Sequence, residues 1–162
     1  MMEVWMIYSC LALGLLSALV AGVFQAFSDF VMRGLALGSP ASGIESMQGI
    51  NKTVFRSVFL SSFFLLVPIT LLCGGYALLK LSGAEKALIL TASASYIVCV
   101  FLVTVFGNVP MNEKLAKMPH TSKDAENYWK VYCRNWTRWN HVRTLGSVVT
   151  AICFLLVGFG DS

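Results

Sequence analysis

Apolar residues fall in four long runs along this chain, at about 5–30, 54–79, 87–107 and 142–159. Each is close to the roughly 20 residues that carry a helix across a bilayer. Open strands would leave backbone groups unpaired in lipid, so the runs are predicted to be helices. Polar residues gather in the links. "KLSGAEK" is a short turn that makes runs two and three antiparallel neighbours. The link 31–53 contains "SPASGIESMQGINK", which opens with Ser39 and Pro40, an N-cap and first-turn proline that predict a short interfacial helix. The link 108–141 splits at "MPHTSKD", where Pro119 breaks any helix and Ser122 or Asp124 can cap the next. The residues that follow lack Gly and Pro up to the fourth run, so one helix should continue into it. The expected fold is all-α. It is a single domain over 1–162, a four-transmembrane-helix antiparallel bundle with interfacial amphipathic helices in the first and third links.

Composition supports lipid as the solvent. Hydrophobic residues make up 57% of the 162 and charged residues 12%, against roughly 25% charged in soluble domains. The mean hydropathy is +0.72. Glu3 is the sole charge before Asp29, and the first run is about twice the length of a signal-peptide apolar region, so it is read as a retained helix. The cysteines Cys10, Cys73, Cys99, Cys133 and Cys153 are odd in number and contain no CxxC, which argues for neither a disulfide framework nor a zinc site.

The net charge of +4 is uneven. Links one and three, with Arg56 and Arg143 at the adjoining ends of runs two and four, carry ten of the twelve basic residues, leaving Lys80 and Lys86 to the other side. The positive-inside rule then places links one and three in the cytoplasm and both termini outside, as expected of a protein of a bacterial inner membrane. The aromatics interleaved with basic residues over 128–139 read as an interfacial belt, because an apolar run follows directly. The partner is therefore the lipid bilayer and not nucleic acid.

Polar residues at membrane depth are expensive and point to function. The first run carries small residues at Gly14, Ala18, Ala21 and Gly22. At about 100° per residue, Gln25, Ser28, Asp29 and Met32 continue the Gly14, Ala18 and Ala21 face. Asp29 is thus expected to point into the bundle or its mouth; the alternative is an interfacial pair with Arg33. After run three, Asn108, Asn112 and Glu113 cluster around Pro110, either satisfying a carbonyl freed by the proline or forming a polar cavity mouth.

The stretch "WTRWNHVR" before run four divides on a helical wheel. With Trp129 at the origin, Tyr132, Trp136, Asn140 and Arg143 fall within about 60° of it, together with Cys133 and Ser147. Lys130, Arg134, Arg138 and His141 share another, basic face, and Trp139 lies on the far flank of the aromatic one. Arg143 and Asn140 therefore look inward and His141 outward. Arg143 should either pair with Asp29 or Glu113 or snorkel to the interface.

The segments "FSDFVM", "MQGINK", "NVPMNEKL" and "WTRWNHVR", in that order among four spans, resemble the DUF1772 family, also called the anthrone oxygenase family. Arg33 stands where related sequences often carry proline. The resemblance implies oxidation of an anthrone to an anthraquinone by molecular oxygen with no added cofactor. An anthrone has an acidic benzylic methylene, and its carbanion can itself reduce oxygen. Such a site needs a base, from Asp29, Glu113 or His141, and donors for an oxyanion, from Arg143, Asn108, Asn112 and Asn140. Tyr132, Trp136 and Trp139 could wall a flat slot, with Gln25 and Asn51 as further substrate contacts.

Three function classes stay open on the sequence. The first is a membrane oxidoreductase for a small aromatic or quinone-like molecule, with its site at the cytoplasmic mouth. The second is a non-catalytic subunit or small-ligand or lipid-binding protein, in which Arg143 and the asparagines pair among themselves around no sizeable cavity. The third is a haem or metal protein, for which His120 and His141 alone could offer imidazole. A transporter is disfavoured by four helices without repeated charges, and a homo-oligomer is compatible with all three.

Overall fold

A computed structural model describes residues 3–160. The chain is almost entirely helical, without a strand among the described residues. Four helices are long and apolar enough to span a membrane: α1 (Val4–Leu37), α3 (Val58–Lys80), α4 (Gly83–Ala116) and α5 (Lys123–Gly160). The short α2 (Pro40–Thr53) occupies the first link. The protein is an integral membrane four-helix bundle.

Local chemistry sets the boundaries. Ser39 accepts from the Ser42 amide at 3.3 Å with Pro40 in the first turn of α2. A single 3-10 turn, Val54–Arg56, leads to Ser57, which accepts from the Leu60 amide at 3.1 Å and starts α3. Gly83, at φ 66°, turns the chain into α4 through a conformation that costs other residues a Cβ clash. Of the two caps the third link offered, Ser122 is the one used, accepting from the Ala125 amide at 3.1 Å. The amphipathic segments of that link are the ends of the long helices themselves. α5 runs 38 residues without interruption, or about 57 Å at 1.5 Å per residue. The apolar core of a bilayer is only about 30 Å thick, so nearly half of α5 projects beyond it.

The helices form an antiparallel ring in which α1 packs on α5 and α3, and α4 on α3 and α5. The α1–α5 pairing is the most extensive, and glycines set its spacing. A Cβ on Gly14 would fall 2.6 Å from Leu155, and one on Gly158 2.5 Å from Leu11. Across α4 and α5, a Cβ on Gly146 would lie 2.6 Å from that of Cys99. Helices in lipid gain little from burying apolar surface against each other, so such close contacts and hydrogen bonds between helices hold them. Tyr96 donates to the Phe63 carbonyl at 2.8 Å and Ser93 to the Thr70 carbonyl at 2.8 Å, tying α4 to α3.

The small-residue stripe of α1 was centred in the wrong place. Gly14 and Ala21 are buried, but Ala18 and Gly22 are exposed, and a Cβ on Gly22 would meet nothing within 4 Å. The buried row is Cys10, Ser17, Phe24 and Ser28, rotated by roughly 60° from the stripe. Two hydrophobic clusters result. One fills the bundle around Met6, Phe63, Tyr96 and Phe154. The other, around Met32, Ile44, Met47, Leu115 and Trp129, joins α2 to the projecting ends of α1, α4 and α5 as a cap.

Replacing Gly146 by Val should destabilise the bundle by about 1–3 kcal/mol through overpacking. Gly22→Ala, on an open face, should instead stabilise it by up to about 1 kcal/mol. Thermal unfolding in detergent micelles checks both signs.

Candidate functional site

Between the two clusters lies a polar layer, and its centre is Arg143. The residue is 6% exposed. Its Nη2 donates to Asn140 Oδ1 at 2.6 Å and Nη1 reaches Thr104 Oγ1 at 3.5 Å. Phe24 and Trp136 lie over it, with ring centroids 4.4 and 5.0 Å from Cζ. Nε is buried without a hydrogen-bond partner. Neither expectation for this residue holds. It does not snorkel, and no carboxylate pairs with it, since the one ion pair among the described residues joins Lys123 to Glu126.

Asn140 is fully buried and ties the layer to α1. Its Nδ2 donates to the Phe24 carbonyl and to Ser28 Oγ, both at 2.7 Å. Ser28 also shares a hydrogen bond of 3.2 Å with Thr144. Asn108 Nδ2 donates to the Trp136 carbonyl at 3.1 Å. It therefore satisfies a carbonyl of the neighbouring helix, not one freed within its own helix by Pro110. Asn112 Oδ1 accepts from Tyr132 Oη at 2.7 Å and from Trp136 Nε1 at 2.8 Å. The aromatic residues form a ladder on α5, where Tyr132 stacks between Trp129 and Trp136 at 5.5 and 6.2 Å.

These residues flank a cavity of about 370 Å³. That lies within the usual size of small-molecule sites, roughly 300–1,000 Å³. Its walls are mainly apolar and aromatic, including Phe24, Phe59, Phe63 and Phe101. Asn51, Asn112, Asn140, Arg143 and Thr104 supply polar groups on one side, and Lys52 and Glu113 also line it. Asn51 stands beside the Tyr132 hydroxyl, yet its Nδ2 is buried without a well-formed hydrogen bond. The wall includes Phe55 and Phe64, which are otherwise exposed on the outside of the bundle.

Asn51, Asn112, Glu113, Trp136, Asn140 and Arg143 thus converge on one cavity. Tyr132 and Asn108 stand behind its wall as hydrogen-bonding supports. Four anticipated residues lie elsewhere. Gln25 and Asp29 are exposed on α1. The expectation that Asp29 points inward is corrected because it lies about 120° from the true buried face. His141 is exposed on the outer side of α5. Trp139 is 45% exposed and covers Gly107, outside the cavity lining. His120 is half-buried after Pro119 and also lies outside that lining.

Sequence reasoning missed Phe24, Thr104 and the phenylalanines of α3 and α4. Nothing marks a phenylalanine in an apolar run as a cavity wall. Thr104 did carry a signal, being a hydroxyl near the end of run three, about one turn before Asn108.

Buried amide donors, one unpaired guanidinium and an aromatic wall make this a membrane protein with a small-molecule cavity near one end of its bundle. Residues 52–153 match the family described as "Anthrone oxygenase". The match covers more than half of the chain, which belongs to that family. Among curated proteins none matches the chain significantly, and neither does any solved structure.

Asn112 is the shared acceptor of two buried donors. Asn112→Leu strands both and should cost about 2–4 kcal/mol, whereas Tyr132→Phe removes one donor and should cost about 1 kcal/mol. Denaturation midpoints of the two variants in the same detergent test the order.

Proposed function

We propose that the cavity binds a flat, enolisable aromatic molecule of the anthrone type and promotes its oxidation to a quinone by dioxygen. The observation that carries this is the Arg143 guanidinium, buried beside an aromatic-walled cavity and ion-paired with no carboxylate among the described residues. A fixed positive charge there favours an oxyanion far more than it would in water.

Glu113 is the one carboxylate lining the cavity and serves as the base. It takes a proton from the substrate methylene, and the C–H electron pair delocalises through the ring onto the carbonyl oxygen. Arg143 and the amide of Asn51 hold that oxygen. The electron-rich carbanion passes one electron to dioxygen, and the resulting substrate radical and superoxide join through a new C–O bond. The peroxide takes up the proton held by Glu113. Loss of the second methylene proton then breaks the O–O bond, forms the carbonyl and expels water. One CH₂ and one O₂ become one C=O and one H₂O. The electrons come from the substrate, so this route calls on no added redox cofactor.

A second reading, a non-catalytic small-ligand binder, is favoured by the exposure of Glu113, since general-base chemistry would rest on that single side chain. The internal pairing of Asn140 and Asn108 also suits it, but the cavity of about 370 Å³ departs from the expectation of no sizeable space and suits occupation by a ligand under either reading.

Purified protein with an anthrone in aerated buffer should form quinone faster than the spontaneous rate. Arg143→Met should lower the enzymic rate by about 10²–10³ if it removes the oxyanion donor, and Glu113→Gln by about 10²–10⁴ if it removes the base. Ligand-induced fluorescence change of Trp136 that persists in Glu113→Gln, with no turnover in the unsubstituted protein across several anthrones, would favour the binder.

We also propose a bacterial inner-membrane location with the cavity at the cytoplasmic side, supported by the eight basic residues of links one and three. Alkaline phosphatase fused after residue 162 should then be active, and the same fusion within link three inactive.

A further inference from the structure

On the outside of the bundle, backing onto the polar layer, α1 and α5 frame a second groove of about 340 Å³. Arg33 enters it from α1, and Arg134, Arg138 and His141 from α5. The three α5 residues are spaced four and three apart, so helical geometry stacks them on one face. Ala36 and Cys133 contribute apolar surface between them.

We propose that this groove binds the phosphate of an anionic phospholipid. Three arginines share it, and none of them makes an ion pair among the described residues. Asp29, one turn from Arg33, is outside its lining, which contains no carboxylate. Like charges gathered in this way repel one another unless an anion lies among them. Planar guanidinium groups suit phosphate oxygens through paired hydrogen bonds.

The level of the groove argues for lipid over soluble phosphate. Arg134, Arg138 and His141 occupy the turns of α5 just before its apolar run. Phe30, Trp139 and Val142 are 64%, 45% and 37% exposed in the same region. Apolar and aromatic side chains bared beside a cluster of cations are the pattern of a membrane interface, where headgroup phosphates are fixed at high density. The apolar strip of Ala36 and Cys133 would meet the glycerol and first acyl carbons.

The groove also touches the interior. Ser28 lines it, and the same hydroxyl accepts from Asn140, the residue that holds Arg143. One serine therefore separates the lipid site from the cavity.

The full-length protein in phosphatidylcholine nanodiscs, with and without phosphatidylglycerol, tests the proposal. Phosphatidylglycerol should raise the thermal midpoint. Arg134→Gln with Arg138→Gln should abolish the rise and lower phosphatidylglycerol retention in native mass spectrometry roughly thirtyfold, from about a factor of five per arginine. Both arginines are exposed, so the midpoint of this variant in pure phosphatidylcholine should match that of the parent. Arg56→Gln with Lys117→Gln, basic positions of the same links outside the groove, should keep the rise. Equal losses in the two variants would overturn the site in favour of diffuse surface attraction. An equal rise from inorganic phosphate added to phosphatidylcholine discs would overturn the lipid assignment, and no rise in the parent protein would overturn both.

Discussion

Asn140 and Arg143 organise the structure around themselves. A guanidinium inside a protein needs hydrogen bonds and charge compensation, and here it has the first with little of the second. The hydrogen bond to Asn140 Oδ1, at 2.6 Å, is charge-assisted, a kind worth about 1.5–3 kcal/mol. The π faces of Phe24 and Trp136 add partial compensation. Asn140 spends its two amide protons on α1, so the bond that holds the arginine also clamps the first helix to the last.

From that clamp the rest follows. α1 and α5 can approach closely because Gly14 and Gly158 present no side chain. Their polar layer separates the bundle core from the cap, and α5 runs through both as one rod. The cavity lies where the layer faces the phenylalanines of α3 and α4. Asn140 engages α1 and Asn112 engages α5, so the polar side of the cavity is fixed from two helices.

The sequence revealed the helices well because length and hydropathy are local properties. The four spans, the Ser39–Pro40 start and the break at Pro119 can all be read in short windows. The inward face of α5 was also legible. It is a regular α-helix throughout, so a wheel drawn from Trp129 still holds at Arg143. Reading α1 was harder, since small residues marked its face only in part. Gly14 and Ala21 touch neighbours, but Ala18 and Gly22 face outward. The choice between an acidic partner and snorkelling left out a neutral solution, in which asparagine, threonine and aromatic rings share one cation. The cavity depends on how far α3 and α4 stand from α5, a tertiary quantity that no single stretch encodes.

Two π-turns flank the polar layer, at Phe27–Val31 in α1 and at Thr104–Asn108 in α4. A π-turn amounts to an α-helix holding one residue more than it needs, and such turns are frequent at functional sites. Loss of a single codon at 104–107 would let the turn close as regular α-helix, with the residues on either side near their present phase. The same loss in a regular α-helical stretch would turn everything beyond it by about 100°. The π-turn is thus a place where a lineage can drop a residue from this span and still aim Asn112 at Tyr132 and Trp136.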